Sequence, residues 1–205
     1  MDDRKLTPAE EKRKTKFKAL SAELEQQGYQ KTDLCFSVTK ANVLAVAVTF
    51  PILIAGILLF FWKNGGSNSF SLSGWRFLLF LITFLAGIAV HELIHGITWS
   101  IFAKKGFKAI DFGFMAKYLT PYCICGEPLP FWSYATGILM PTLILGVGVY
   151  LVGLFAESYA WALWGLLNIF AGGGDLAVLW RIRKRRKSLI LDHPYQVGCV
   201  VFDKN

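Results

Sequence analysis

His91-Glu92-Leu93-Ile94-His95 is the stretch of this chain whose residue types and spacing describe a reaction. On a helix, residues four apart lie one turn above each other on the same face, so the two imidazoles can close on one metal ion. Glu92 is one step round from His91, within reach of a water on that metal rather than of the metal itself. Zinc lowers the pKa of its water to about 7, and a neighbouring carboxylate can take the proton and deliver it to a leaving amine. Shuffling the three histidines and seven glutamates through the chain produces this pattern in roughly one sequence in a thousand. Ionisable groups in an apolar segment cost several kcal/mol unless paired or hydrated, so three within five residues need a reason. The structural alternative is a hydrogen-bonded cluster that only packs helices together.

Other cofactors can be tested by spacing. Glu92 and His95 also read as the Glu-x-x-His of a di-iron bundle, but that site needs a second such pair and further glutamates, which the chain lacks. Two histidines one turn apart cannot reach opposite faces of a haem. A mononuclear zinc remains, and a catalytic zinc wants three protein ligands and an open fourth position. His193 lies beyond the basic run 181–187, outside the membrane on this reading. Asp175 is the better third ligand: it is the only acid in its apolar segment and follows Gly172-Gly173-Gly174, which loosen the helix there. His95 precedes Lys104 by about 14 Å of helix and Asp175 precedes Arg181 by about 9 Å, so both fall on the same side of the midplane. Against this stands Asp175 as a helix-end residue, paired with Arg181 or hydrated among headgroups. Two roles stay open for Asn168, a hydrogen bond to a substrate carbonyl or a link between helices.

The elements that must position these residues are apolar. Hydrophobic residues make up 54% of the 205, and residues 41–62, 77–90, 128–156 and 158–174 carry no charge while Lys and Arg crowd the ends. Hydrocarbon spans with wet termini have this pattern. The expected fold is an all-α membrane protein with about four transmembrane helices, at about 41–62, 75–103, 131–155 and 159–180, with Pro51 and Pro141 inside two of them. Residues 1–40 are expected as a cytoplasmic N-terminal segment, 41–187 as the transmembrane metallopeptidase domain and 188–205 as a cytoplasmic tail, in which 197–202 reads as a strand. Thr7-Pro8-Ala9-Glu10 has the form of a capping box opening a helix that ends before Gly28. Phe17, Leu20 and Leu24 give that helix an apolar side, to lie on a membrane surface or on the rest of the protein, and a solvated basic helix is the alternative. Lys63-Asn64-Gly65-Gly66-Ser67-Asn68 reads as a turn, and 107–130 as a short cytoplasmic β-hairpin or re-entrant segment. The four cysteines are too few and scattered for a disulfide framework, and Cys123-Ile-Cys125 lacks zinc-knuckle spacing.

The net charge of +8 flanks apolar spans instead of forming a basic patch on a soluble module, which argues against nucleic acid as a partner. With an even number of spans both termini lie on one side, and the basic N-terminal segment, the 104–117 loop and the 181–187 run all put that side in the cytoplasm. A bacterial cytoplasmic membrane is the expected location. A metal transporter would need polar residues along several spans, and spans one and three offer almost none.

His91-Glu92-Leu93-Ile94-His95-Gly96, Asn168 with Gly174-Asp175-Leu176, and Asp192-His193-Pro194 together resemble the zincin-type membrane peptidases grouped as a domain of unknown function. They are also similar in plan to the intramembrane site-2 proteases. The resemblance covers roughly residues 75–205 and implies zinc ligation by His91, His95 and Asp175 with Glu92 as general base. The chain departs from the site-2 pattern in the three glycines before Asp175 and in lacking an Asn-x-x-Pro stretch. In site-2 proteases a strand near the active site pairs with unwound substrate, and Phe112 to Ala116, including Gly113 and Phe114, stand where such an edge would be. The leading expectation is a zinc peptidase acting on polypeptides in or near the bilayer; the alternative is a non-catalytic zinc-binding scaffold or regulator, which has no use for Glu92.

Overall fold

The computed structural model describes residues 7–65, 74–115 and 120–204. Helix α1 (Pro8–Gln26) opens with the capping box: Thr7 Oγ1 accepts from the Glu10 amide and the Glu10 carboxylate accepts from the Thr7 amide at 2.8 Å. Gly28 takes φ 85° just past its end. Strand β1 (Tyr29–Asp33) leads to α2 (Val38–Asn64), capped by Ser37, and α3 (Trp75–Phe102) follows. The turn expected at 63–68 is described as far as Gly65, and the rest lies outside the described residues. A 3-10 turn, Gly106–Ala109, delivers β2 (Ile110–Met115), which pairs antiparallel with β3 (Thr120–Cys125). Then come β4 (Leu129–Pro130), α4 (Phe131–Pro141), a π-helical stretch Thr142–Gly148, α5 (Val149–Phe155), α6 (Tyr159–Ala171), α7 (Gly173–Ile182), β5 (Leu189–Asp192) and β6 (Cys199–Lys204).

The chain is mostly helical, and among the described residues three helical units are long and apolar enough to cross a membrane: α2, α3 and the run Phe131–Phe155. Val43, Phe50 and Leu58 on α2 and Phe77 and Leu85 on α3 are exposed, as side chains facing hydrocarbon are. Pro51 sits inside an unbroken α2. At Pro141 the missing amide costs one helical bond, and the backbone continues in wider π turns before returning to α5. Residues 159–180, expected as one span loosened at Gly172-Gly173-Gly174, form two helices, α6 and α7, bent by 45° at a break there. Gly172 closes α6 with its amide on Asn168 O and Phe170 O, and the glycines beside it give the helix little to resist the bend.

The expectation of an all-α fold with one hairpin needs enlarging. Besides the hairpin β2–β3, four short strands form an antiparallel sheet in the order β1-β6-β5-β4, drawn from both ends of the chain and, in β4, from its middle. Strand β6 is buried on both faces and alternates between them. Val200 and Phe202 pack with Leu191 beneath Phe17, Leu20 and Leu24 of α1, so the apolar side of α1 lies on the protein. Cys199 and Val201 turn to the main core with Ile182, Ile190 and Trp99. Three helices leave or enter this sheet: β1 leads into α2, β4 into α4, and α7 into β5. Strand order therefore sets α7 between α2 and α4, and it packs against both.

Candidate metal centre

His91 and His95 lie on one face of α3 and are buried. Asp175, in the first turn of α7, brings its Oδ2 to 3.0 Å from His91 Nε2 and 3.3 Å from His95 Nε2. An ion held tetrahedrally about 2.0–2.1 Å from each ligand would separate neighbouring ligand atoms by about 3.3 Å. Each imidazole nitrogen thus stands from the carboxylate oxygen at nearly the spacing that zinc requires, and all three atoms lie within 4.8 Å of one another.

The histidine tautomer agrees. His95 Nδ1 lies 2.8 Å from the carbonyl of Gly137 on α4, and a carbonyl only accepts, so Nδ1 carries the proton and Nε2 keeps its lone pair for a cation. The His95 ring stacks on Trp99 with centroids 5.0 Å apart, and Trp99 Nε1 donates to the Tyr134 carbonyl at 3.1 Å. Gly137 is small because Trp99 fills the space in front of it. One carbonyl and one indole from two helices hold His95 in place.

Glu92 is partly buried and lines a cavity of about 600 Å³ together with His91, His95, Asp175 and Asn168. Its carboxylate meets the backbone amide of Cys123. Asn168 is buried, and its Nδ2 donates to Trp164 O at 2.9 Å one turn back in α6. Strand β3 walls the cavity from Thr120 to Ile124. Phe112, Gly113 and Phe114 are placed otherwise than expected: they lie on β2, along the opposite edge of β3, and do not line the cavity. The pairing register explains this. Gly126 donates to Ala109 O, so Thr120, Tyr122 and Ile124 turn their backbone groups to β2 while Cys123 and Cys125 turn theirs to the open side. Phe112 instead sets its ring against Gly96 of α3. Ala116 lies outside the described residues.

Several residues of this neighbourhood carried little signal in the sequence. Trp99 had one, being four after His95 on the same face. Asp192 had only its place in the Asp192-His193-Pro194 motif; its carboxylate accepts the Tyr134 hydroxyl and, at 2.8 Å, the Cys125 amide, which ties β5, α4 and β3 together. Burial pushes the Asp192 carboxyl up to about 6.

A second group, Asp33, Cys35 and His193, brings its ligand-type atoms within 4.8 Å of one another. Here the tautomer is wrong for a cation. His193 Nδ1 accepts the Gln196 amide at 3.0 Å, so the remaining nitrogen holds the proton and has no lone pair to offer. Asp33 Oδ1 likewise accepts the Cys35 amide at 2.8 Å, and the cluster is a hydrogen-bonded junction between β1 and the tail.

Two imidazoles from a long apolar helix and one carboxylate from the shorter α7 close on a point, a grouping that could hold a metal ion. Over residues 84–190, more than half of its length, the chain matches the family described as "Putative zincin peptidase", and it belongs to that family. Membership points to a metallopeptidase and to zinc as the metal. No curated protein and no solved structure matches the chain.

Proposed function

We propose that the protein is a zinc-dependent peptidase embedded in a membrane, where it hydrolyses peptide bonds of membrane or membrane-adjacent polypeptides. The observation that carries this reading is the convergence of His91 Nε2, His95 Nε2 and Asp175 Oδ2 at 3.0 and 3.3 Å beside Glu92 on a cavity wall. Zinc, when bound, supplies a Lewis acid that polarises a carbonyl and acidifies water. Glu92 is the general base: it takes the proton from the attacking water and later returns it to the leaving amine. The Cys123 amide steadies its carboxylate. Strand β3, with its open edge toward the cavity, holds the substrate extended by backbone pairing, which demands little of substrate sequence. Asn168 lines the same cavity as a second polar contact.

The bent pair α6–α7 is the fourth span on this reading, its break exposing Asp175 to the cavity, and both termini are cytoplasmic with the basic runs. The test compares zinc content and cleavage of a panel of single-span polypeptides for the wild type, His91→Ala and Glu92→Gln. Stoichiometric zinc is expected in the wild type and Glu92→Gln but not in His91→Ala, with cleavage by the wild type alone. A zinc-loaded wild type that cleaves none of the panel would leave a scaffold.

A further inference from the structure

Five residues of α2, Val38, Ala41, Asn42, Ala45 and Val46, line the same cavity as Glu92. Their spacing of three and four makes them one continuous stripe on the helix. Helix α2 packs on α6 and α7 and α3 on α4 and β3, so the cavity separates the two walls that carry Asn42 and Glu92. Within this stripe Asn42 is the sole polar side chain; it is exposed and has no hydrogen-bond partner among the described residues.

Its height can be worked out from the packing. Gly173 touches α2 so closely that a Cβ there would lie 2.9 Å from the Ala45 Cβ. Helix α2 rises from the four-stranded sheet and α7 descends into it, so the two run antiparallel. Asn42 lies about 4.5 Å below Ala45, toward the sheet, and Asp175 about 3 Å below Gly173 in the same direction. The side chain of Asn42 therefore stands on the cavity wall at nearly the level of the third metal ligand.

We infer that Asn42 is a substrate-positioning residue, whose carboxamide bonds the backbone of an extended polypeptide on the side that β3 leaves unpaired. This rests on the peptidase reading and assigns the cavity between α2 and α3 to a single unwound chain. A chain paired along one edge with β3 keeps a row of N–H and C=O groups on its other edge, and in a wall of Val and Ala those groups need a partner. A carboxamide has both a donor and an acceptor and matches one peptide unit. A lipid acyl chain would have no use for it.

The experiment uses the full-length zinc-loaded protein in bilayer discs, with a fluorescent single-span peptide bearing an unstructured cytoplasmic flank. Binding is read in a Glu92→Gln background, so that affinity is measured without turnover, and cleavage is read with Glu92 intact. Asn42→Leu, similar in size and apolar, is expected to keep its zinc, weaken peptide binding about tenfold and raise KM by a similar factor with kcat little changed, the loss expected for one or two hydrogen bonds. Asn42→Gln should recover much of the affinity. Unchanged binding and KM in Asn42→Leu, with the wild type cleaving the peptide, would overturn the role of Asn42 and leave the peptidase reading standing. Loss of zinc in Asn42→Leu would likewise overturn it, assigning the residue to helix packing. A zinc-loaded wild type that neither binds nor cleaves would remove both readings together.

Discussion

Gly137→Ala changes one hydrogen to a methyl group, yet it should weaken zinc binding from a position that touches no metal. The new Cβ would lie 2.0 Å from Trp99 Nε1 and 2.2 Å from its Cδ1, closer than any real contact. The indole has nowhere to retreat: His95 stacks on it at 5.0 Å, Tyr134 at 5.4 Å, and its N–H is held by the Tyr134 carbonyl. Relief must come from α4 moving away, which carries the Gly137 carbonyl off His95 Nδ1, or from the indole pushing the imidazole. Overpacking of this kind costs about 1–3 kcal/mol, and disturbing the partner of a ligating histidine typically costs 10–100-fold in metal affinity. Competition with a chromophoric chelator, on full-length protein in detergent, should show zinc affinity reduced about tenfold or more. Gly174→Ala is the control, since a Cβ there meets nothing within 4 Å although it adjoins Asp175. Trp99→Phe added to Gly137→Ala removes the pyrrole edge and should restore part of the affinity. Wild-type affinity in Gly137→Ala would refute the idea that this carbonyl and this indole set the imidazole.

Because burial raises the Asp192 carboxyl from 3.8 to about 6, the native chain binds more protons than the unfolded one between those values. Stability from this group is therefore greatest below about pH 4, falls by about 2–3 kcal/mol as pH rises to 6 and stays reduced above it. Unfolding midpoints of the wild type and Asp192→Asn from pH 4 to 7 should show a shallower slope in the variant, and parallel slopes would count against it. Cys123→Pro removes the amide that meets Glu92 and blocks the open edge of β3, so cleavage should fall at least tenfold with zinc retained; Phe114→Pro, on β2, should do less, and the reverse order in a peptide cleavage assay would return the substrate edge to β2. Phe202→Ala empties a fully buried site between α1 and the sheet and should cost about 3–5 kcal/mol in denaturant unfolding, against a negligible change if the sheet were peripheral.

The parts of the site legible in the sequence were those fixed by local geometry. Two histidines four apart share a helix face whatever else the chain does, and the structure does set them one turn apart on α3. Asp175 stood out because an acid in an apolar segment is costly and three glycines before it are a helix weakness, and both features appear where α7 breaks from α6. The α1 cap was likewise a matter of four adjacent residues. What could not be read depends on partners distant in the chain. Alternation around Phe112 was visible, but whether β2 or β3 offers a free edge is decided by which of them lies against the cavity. Strand β4 has two residues and β5 four, too short for any periodic signal, and they become strands by pairing with each other and with β6. The His95 tautomer rests on a carbonyl 42 residues away.

These distant pairings explain how a site inside apolar helices keeps its geometry. In hydrocarbon, helices gain little from burying apolar surface against one another, so their relative placement needs another source. The four-stranded sheet provides it, because α2, α4 and α7 each join one of its strands through a connection of six residues or fewer. Backbone hydrogen bonds along β1-β6-β5-β4 fix the lateral order of the helices, and with it the approach to His95 of Asp175 on α7 and of the Gly137 carbonyl on α4. Helix α3 has no strand of its own. It is tied in through β3, where Glu92 meets the amide of Cys123 and Asp192 of the sheet takes the amide of Cys125. Glu92, the two histidines and Asp175 are thus referred to one framework at the ends of the helices, and on the proposed peptidase reading a peptide laid on β3 would be registered against that same framework before it reached Glu92.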